Sequence, residues 1–109
     1  MMKARGRARG RSAVAGGEAY VFRLFVAGNE SNSTQARINL TRLCEEHLKG
    51  HYRIDIVDVL KHAASALKYR VLLTPMLIMT KPLPEVSLLG NLNDTRAVLA
   101  MLRLIGDER

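Results

Sequence analysis

The sequence predicts a three-layer α/β domain with the element order β-α-β-α-β-β-α. Three observations lead there. Tyr20-Val-Phe-Arg-Leu-Phe-Val-Ala27 is a near-continuous apolar run, rich in aromatic and β-branched residues and interrupted only by Arg23, and it reads as a buried strand. An amphipathic helical pattern and a second strand follow it, which makes a βαβ unit with a right-handed crossover. Further on, Thr74-Pro75 divides two apolar runs within Val71–Met79. Proline has no amide hydrogen, so Pro75 cannot sit inside a helix or a sheet ladder, but it can open a strand. It also pushes Thr74 towards extended geometry and tolerates a cis bond at such an entrance.

Each element has its own signal. Gly28-Asn29 ends the first strand with turn chemistry. Asn32-Ser33 offers an N-cap for the next segment. There Ala36, Leu40, Leu43 and Leu48, with Cys44 and His47, recur at helical spacing. Gly50 is placed as the residue just past that helix. Tyr52–Leu60 reads as the second strand, with Tyr52, Ile54 and Ile56 on one face and Val57 and Val59 on the other. Leu60, Ala64, Leu67 and Val71 give Lys61–Val71 one apolar face of a short helix. Met76–Met79 is the third strand, Lys81-Pro-Leu-Pro84 a rigid turn, and Glu85–Leu89 a short strand pairing antiparallel with the third, closed by Gly90. Asn93-Asp94 caps a last helix with a buried stripe of Val98, Met101, Leu102 and Ile105, stopped by Gly106. A parallel βαβ half, an antiparallel hairpin and a closing helix form the thioredoxin-like arrangement.

Composition sets the bounds. The 109 residues suffice for one modest core, and with 48% apolar content and no Trp that core is mostly aliphatic. No apolar run approaches the ~20 residues that span a bilayer, and no apolar segment follows the basic N-terminus as a secretory signal requires. The expectation is a cytoplasmic chain with no membrane association. Its single cysteine fits a reducing compartment and excludes an internal disulfide. The net charge of +7 is uneven. Residues 1–19 hold Lys3, Arg5, Arg7, Arg9 and Arg11 against Glu18, a net +4, and residues 20–109 carry the remaining +3. The first 19 residues therefore read as a disordered basic Arg/Gly leader and residues 20–109 as the folded domain. Arg-Gly segments can bind nucleic acid through phosphate contacts and stacking, so an accessory protein acting through this leader is the alternative function. A solubilising tail is the plainer reading, and it leaves nucleic acid out of the expected partners.

The chain offers little to an enzyme. A thioredoxin-like redox centre needs a thiolate in the turn before the first helix, and here that turn is Gly28-Asn-Glu-Ser-Asn-Ser33. Cys44 falls mid-helix on the apolar stripe, the place of a structural cysteine. A glutathione transferase-type site can use Ser or Asn in that turn but requires a second, helical domain. His47 and His51 have metal-ligand spacing, but Gly50 separates them and no third ligand stands nearby. His62 reads as a solvent-facing helix residue. Asp55 and Asp58 project to opposite faces of a strand and cannot act as a catalytic pair. No Walker-type phosphate loop is present. No cofactor, metal or catalytic residue is expected.

Motifs spread over the domain carry a resemblance. Leu24-Phe-Val-Ala-Gly-Asn29, Asn32-Ser33, Lys49-Gly50 before Tyr52, Asp58-Val-Leu-Lys61, Thr74-Pro75 with Leu77, Leu83-Pro84, and Gly90 with Leu92 occur in the order and spacing of the KaiB clock proteins. Tyr20–Ile105 resembles that family without a gap. The resemblance implies a non-catalytic, thioredoxin-like protein that binds the P-loop ATPase KaiC, regulates its phosphorylation, and recruits KaiA or sensor histidine kinases. It implies a homo-oligomer, dimer or tetramer, in the unbound state, and an alternative arrangement in which everything after the second strand is repacked. It marks Lys61 and Arg70 as contacts to the ATPase, and Gly28, Asn29, Asn32, Asp58, Thr74, Pro75 and Gly90 as structural.

Two departures from the family pattern stand out. Where the family has Glu-Glu-Asp before a lysine, this chain has Leu67-Lys68-Tyr69 before Arg70, which makes that face more basic. Where the family reads Gly-Leu-Asp-Leu in its last helix, this chain reads Met101-Leu102-Arg103-Leu104. A mid-helix Met in place of Gly gains about 0.5–1 kcal/mol of helix stability, and Arg in place of Asp near the C-terminal end gains about 0.3–1 kcal/mol. Both bias the C-terminal segment towards helix, and so towards the thioredoxin-like state, with Pro75 cis and followed by strand.

Overall fold

The computed structural model describes residues 19–71 and 73–103, and the expectations for the Arg/Gly leader and for Ile105 and Gly106 lie outside them. The observed order is β1 (Tyr20–Val26), α1 (Ser31–His47), β2 (Tyr52–Asp58), α2 (Ala63–Lys68), β3 (Met76–Lys81), β4 (Val86–Leu89) and α3 (Thr95–Met101). The sheet order is β2-β1-β3-β4. β1 pairs parallel with β2 and antiparallel with β3, and β3 pairs antiparallel with β4. The most apolar run thus occupies a central position with neighbours on both sides. The chain has the expected βαβαββα, thioredoxin-like order.

Strand alternation divides β1 between two layers. Phe22, Leu24 and Val26 face α1 and α3, where they pack with Ala36, Leu40, Leu43, Cys44, Leu77, Met79, Leu92, Val98, Leu99 and Leu102. Val21, Arg23 and Phe25 face the other side, in register with Arg53, Asp55 and Val57 of β2. The C-terminal end of α2 covers this second face through Tyr69, whose ring centroid lies 5.5 Å from that of Phe25.

Several local expectations are corrected. The N-cap of α1 is Glu30 rather than Asn32-Ser33: its carboxylate accepts from the backbone N–H of Asn32 (3.1 Å) and Ser33 (3.0 Å). Glutamate reaches both amides from a position earlier, and the Ser33 hydroxyl turns inward to accept from the Ala27 N–H at 3.0 Å. Helix α1 ends one residue sooner than Gly50 suggests, with Leu48 as C-cap; His47 is exposed, and Gly50 follows at φ 83°. β2 stops at Asp58, because the Val59 and Leu60 backbone turns back onto Val26 and the Asp58 side chain.

The largest correction concerns α2. No residue of it is buried, and Leu60 and Leu67 of the expected stripe are 73% and 79% exposed. In α3 the buried residues are Val98 and Leu99, joined by Leu102 just beyond, whereas Met101 points to solvent at 53% exposure. The helix ends at Met101, well short of Gly106, so Met101 is not a mid-helix residue and the stability gain computed for one does not apply. Arg103 has a positive φ (63°) and donates to the Pro82 and Pro84 carbonyls at 2.9 and 3.1 Å. It therefore anchors the end of α3 through hydrogen bonds to the β3–β4 turn, beyond any dipole effect.

Candidate functional site

The turn from β1 to α1 is where a thioredoxin-like domain carries its chemistry, and here it is held by hydrogen bonds from backbone amides to side-chain oxygens. Gly28 adopts φ 55°, and its N–H donates to Oδ1 of Asp58 at 3.1 Å. The same oxygen accepts from the Leu60 N–H at 3.0 Å. Asp58 therefore ties the ends of the parallel strands β1 and β2 together. Gly28 satisfies the left-handed backbone, which a Cβ would strain. Asn29 accepts from the Thr34 hydroxyl through its carbonyl, and Asn32 Oδ1 accepts from Asn91 Nδ2 at 3.2 Å. The Thr74-Pro75 bond is cis, β3 begins at Met76, and the Pro75 carbonyl accepts from the N–H of Gly90, which holds φ 111°. Gly28, Asn29, Asn32, Asp58, Thr74, Pro75 and Gly90 lie at or within two residues of the ends of strands and helices.

Charge in this turn is fixed by amides. The N–H of Asn32, then that of Ser33, holds the Glu30 carboxyl below its ordinary range. The N–H of Leu60, then that of Gly28, does the same for Asp58, with smaller help from Lys61 and Arg37. Cys44 is buried in α1, and burial first, then the nearby Glu45 charge, pushes its thiol well above the ordinary value. It is neither a thiolate nor accessible to exchange. His47 ends α1 and His51 stands beyond Gly50, so the two do not share a helix. Asp55 forms ion pairs with Arg53 (3.2 Å) and Arg23 (3.9 Å), apart from the strand-joining role of Asp58.

These pKa directions predict an acid-sensitive fold. Both carboxyls bind protons less readily folded than unfolded, so their contribution is complete above their ordinary values, 4.5 and 3.8, and is lost as pH falls below them. Urea midpoints should be level from neutrality to about pH 5 and then fall, and Asp58→Asn should flatten the drop. A drop of equal steepness in Asp58→Asn would remove Asp58 from the cause.

The second exposed feature is the α2 segment. Lys61 precedes the helix and Arg70 follows it at φ 57°; both are exposed, one at each end. Between them Tyr69 is the anchor that periodicity missed. Its ring carries the Arg23 guanidinium at 4.8 Å and the Lys68 ammonium at 5.8 Å from the centroid. Arg23 Nε is buried without a hydrogen-bond partner among the described residues, and the Tyr69 ring and Asp55 balance its charge. The one signal for this contact in the sequence is the lone Arg23 inside an apolar strand. No group of three or more His, Cys, Asp or Glu that could hold a metal occurs among the described residues. No helix among them is long and apolar enough to cross a membrane.

Solved structures share this architecture. Mitochondrial thioredoxin 3 from Saccharomyces cerevisiae superposes with a TM-score of 0.64 at 17% identity, over 81% of each chain. The N-terminal domain of SasA from Synechococcus elongatus superposes with a TM-score of 0.65 at 18% identity, over 95% of this chain and 100% of that one. The molecule is thus a thioredoxin-like domain that holds a capping carboxylate where the redox centre of the fold would stand. Residues 23–104 match the KaiB domain, and the chain belongs to the KaiB family. It is 38% identical over 89 residues to the circadian clock oscillator protein KaiB of Microcystis aeruginosa, covering 82% of this chain and 86% of the relative. It is 35% identical over 85 residues to the circadian clock protein KaiB3 of Synechocystis sp., covering 78% and 83%.

Proposed function

We propose that this chain is a non-enzymatic adaptor that binds a KaiC-type P-loop ATPase and modulates its phosphorylation and ATPase cycle, in a circadian or related signalling system. Membership of a family whose relatives are named as clock oscillator proteins carries this reading. The geometry supports it: the thioredoxin-type turn serves to cap α1 and join strands, and Cys44 is sealed in the core. Lys61 and Arg70, at the two ends of α2, are the charged contacts to the ATPase. KaiA or a sensor histidine kinase is the further partner of such a complex.

The test is co-elution of the purified chain with the KaiC-type hexamer of the same genome in the presence of ATP. Arg70→Glu is expected to weaken binding about tenfold or more, since it reverses a charge at the contact. Arg70→Asn removes the charge but keeps a residue that tolerates positive φ, and should give an intermediate loss. Unchanged binding in both variants would remove Arg70 from the interface, and no binding by the unsubstituted chain would reject the adaptor reading.

A further inference from the structure

The α2 segment exposes apolar side chains that the fold does not use. Leu60 lies before the helix, Leu67 in its last turn and Leu73 after it, and they are 73%, 79% and 61% exposed. The cause of Leu67's exposure is geometric. Tyr69 turns in to meet Phe25, and a residue two positions earlier lies roughly 200° away around a helix, so Leu67 turns out. Single exposed leucines are ordinary on a protein surface. Three within residues 60–73, around a helix that buries nothing, make this segment an exposed apolar surface.

The charge around the patch defines its partner. Residues 59–75 contain Lys61, Lys68 and Arg70 and no Asp or Glu. All three cations are exposed, and Lys68 flanks the Tyr69 ring. We propose that Leu60, Leu67 and Leu73 are the apolar anchor of a protein-docking surface whose partner presents an apolar socket rimmed by carboxylates, with Leu67 as the specificity-determining contact. The cations steer and orient the encounter, and the leucines hold the complex. A lipid surface fits less well, because a six-residue helix presents too short an apolar stripe to lie in a membrane interface. The inference rests on the adaptor reading and deepens it, since it assigns the retention of the partner to side chains other than Lys61 and Arg70.

The experiment measures binding of the full chain to the same KaiC-type hexamer at low and high salt, together with its dissociation rate. Leu67→Ser is expected to weaken binding about tenfold or more at both salt levels through faster dissociation. Leu67→Met, which keeps the apolar volume, should stay within about threefold. Circular dichroism and the melting midpoint should not change, because Leu67 is exposed. Arg70→Asn, in contrast, should lose affinity mainly at low salt. Wild-type-like binding by Leu67→Ser beside weakened Arg70→Glu overturns the inference and leaves the adaptor reading standing. Failure of the unsubstituted chain to bind overturns both. Binding to phosphatidylglycerol vesicles that is lost in Leu67→Ser while hexamer binding persists also overturns the inference, because the leucines then serve a membrane.

Discussion

Phe22→Ala is expected to destabilise the domain by about 3–5 kcal/mol, the cost of losing a buried aromatic ring and keeping the cavity. Phe22 is fully buried in the central strand. It stands in register with Ile54 on β2 and Met79 on β3, and its ring lies 6.5 Å from that of Tyr20. The sheet cannot close over the gap, because β1 is hydrogen-bonded on both edges. Against a typical total of about 5–15 kcal/mol, such a loss leaves the chain marginal or unfolded at room temperature. A urea titration checks it: the midpoint should collapse, with an unchanged slope if a folded fraction persists. A loss under about 1 kcal/mol would mean that the core around Phe22 repacks freely.

What the sequence disclosed follows from how far each signal reaches. The strands were legible because β-branched and aromatic runs bounded by Gly, Asn and Pro have few other uses. Helix α1 was legible because Ala36, Leu40, Leu43, Cys44 and Leu48 all find the same sheet face. The Leu60–Leu67 spacing also suited a helix, and a helix formed, but period alone does not say whether an apolar face awaits it. The sheet face beneath α2 presents Arg23, Arg53 and Asp55 beside Phe25, so an aromatic ring that accepts a guanidinium fits there better than a leucine. The Glu30 cap was hidden for a different reason. N-cap preferences favour short side chains, and Glu30 reaches both amides with a longer one. At the candidate site, Lys61 and Arg70 were placed by family motif, and the structure sets them at the two ends of α2. The leucines between and beside them became visible only through their exposure.

Asn39→Ala is expected to cost about 1–3 kcal/mol, the range for removing a buried hydrogen-bond hub, and to loosen the C-terminal part before the sheet. Asn39 is one of two buried polar residues in the described core, at 5% exposure. Its Nδ2 donates to the Asn91 carbonyl (2.8 Å) and to Asn93 Oδ1 (3.0 Å), and its Oδ1 accepts from Arg42 (3.3 Å) and Gln35 (3.5 Å). One side chain on α1 thus holds the connection that leads into α3. Arg103 holds the other end of that helix to the Pro82 and Pro84 carbonyls. Between these polar ties, Val98, Leu99 and Leu102 supply the apolar contact. Attachment by a few directional bonds is lost in steps, so Asn39→Ala should reduce hydrogen-exchange protection of Val98–Leu102 more than that of Phe22–Val26. Arg103→Ala, whose side chain is exposed, should cost about 1 kcal/mol or less and affect only the last turn. Asn39→Leu restores volume but no donor, and should be no more stable than Asn39→Ala if hydrogen bonding is the cause. Equal protection of α3 in Asn39→Ala and the unsubstituted chain would assign the docking of this helix to its three apolar residues alone.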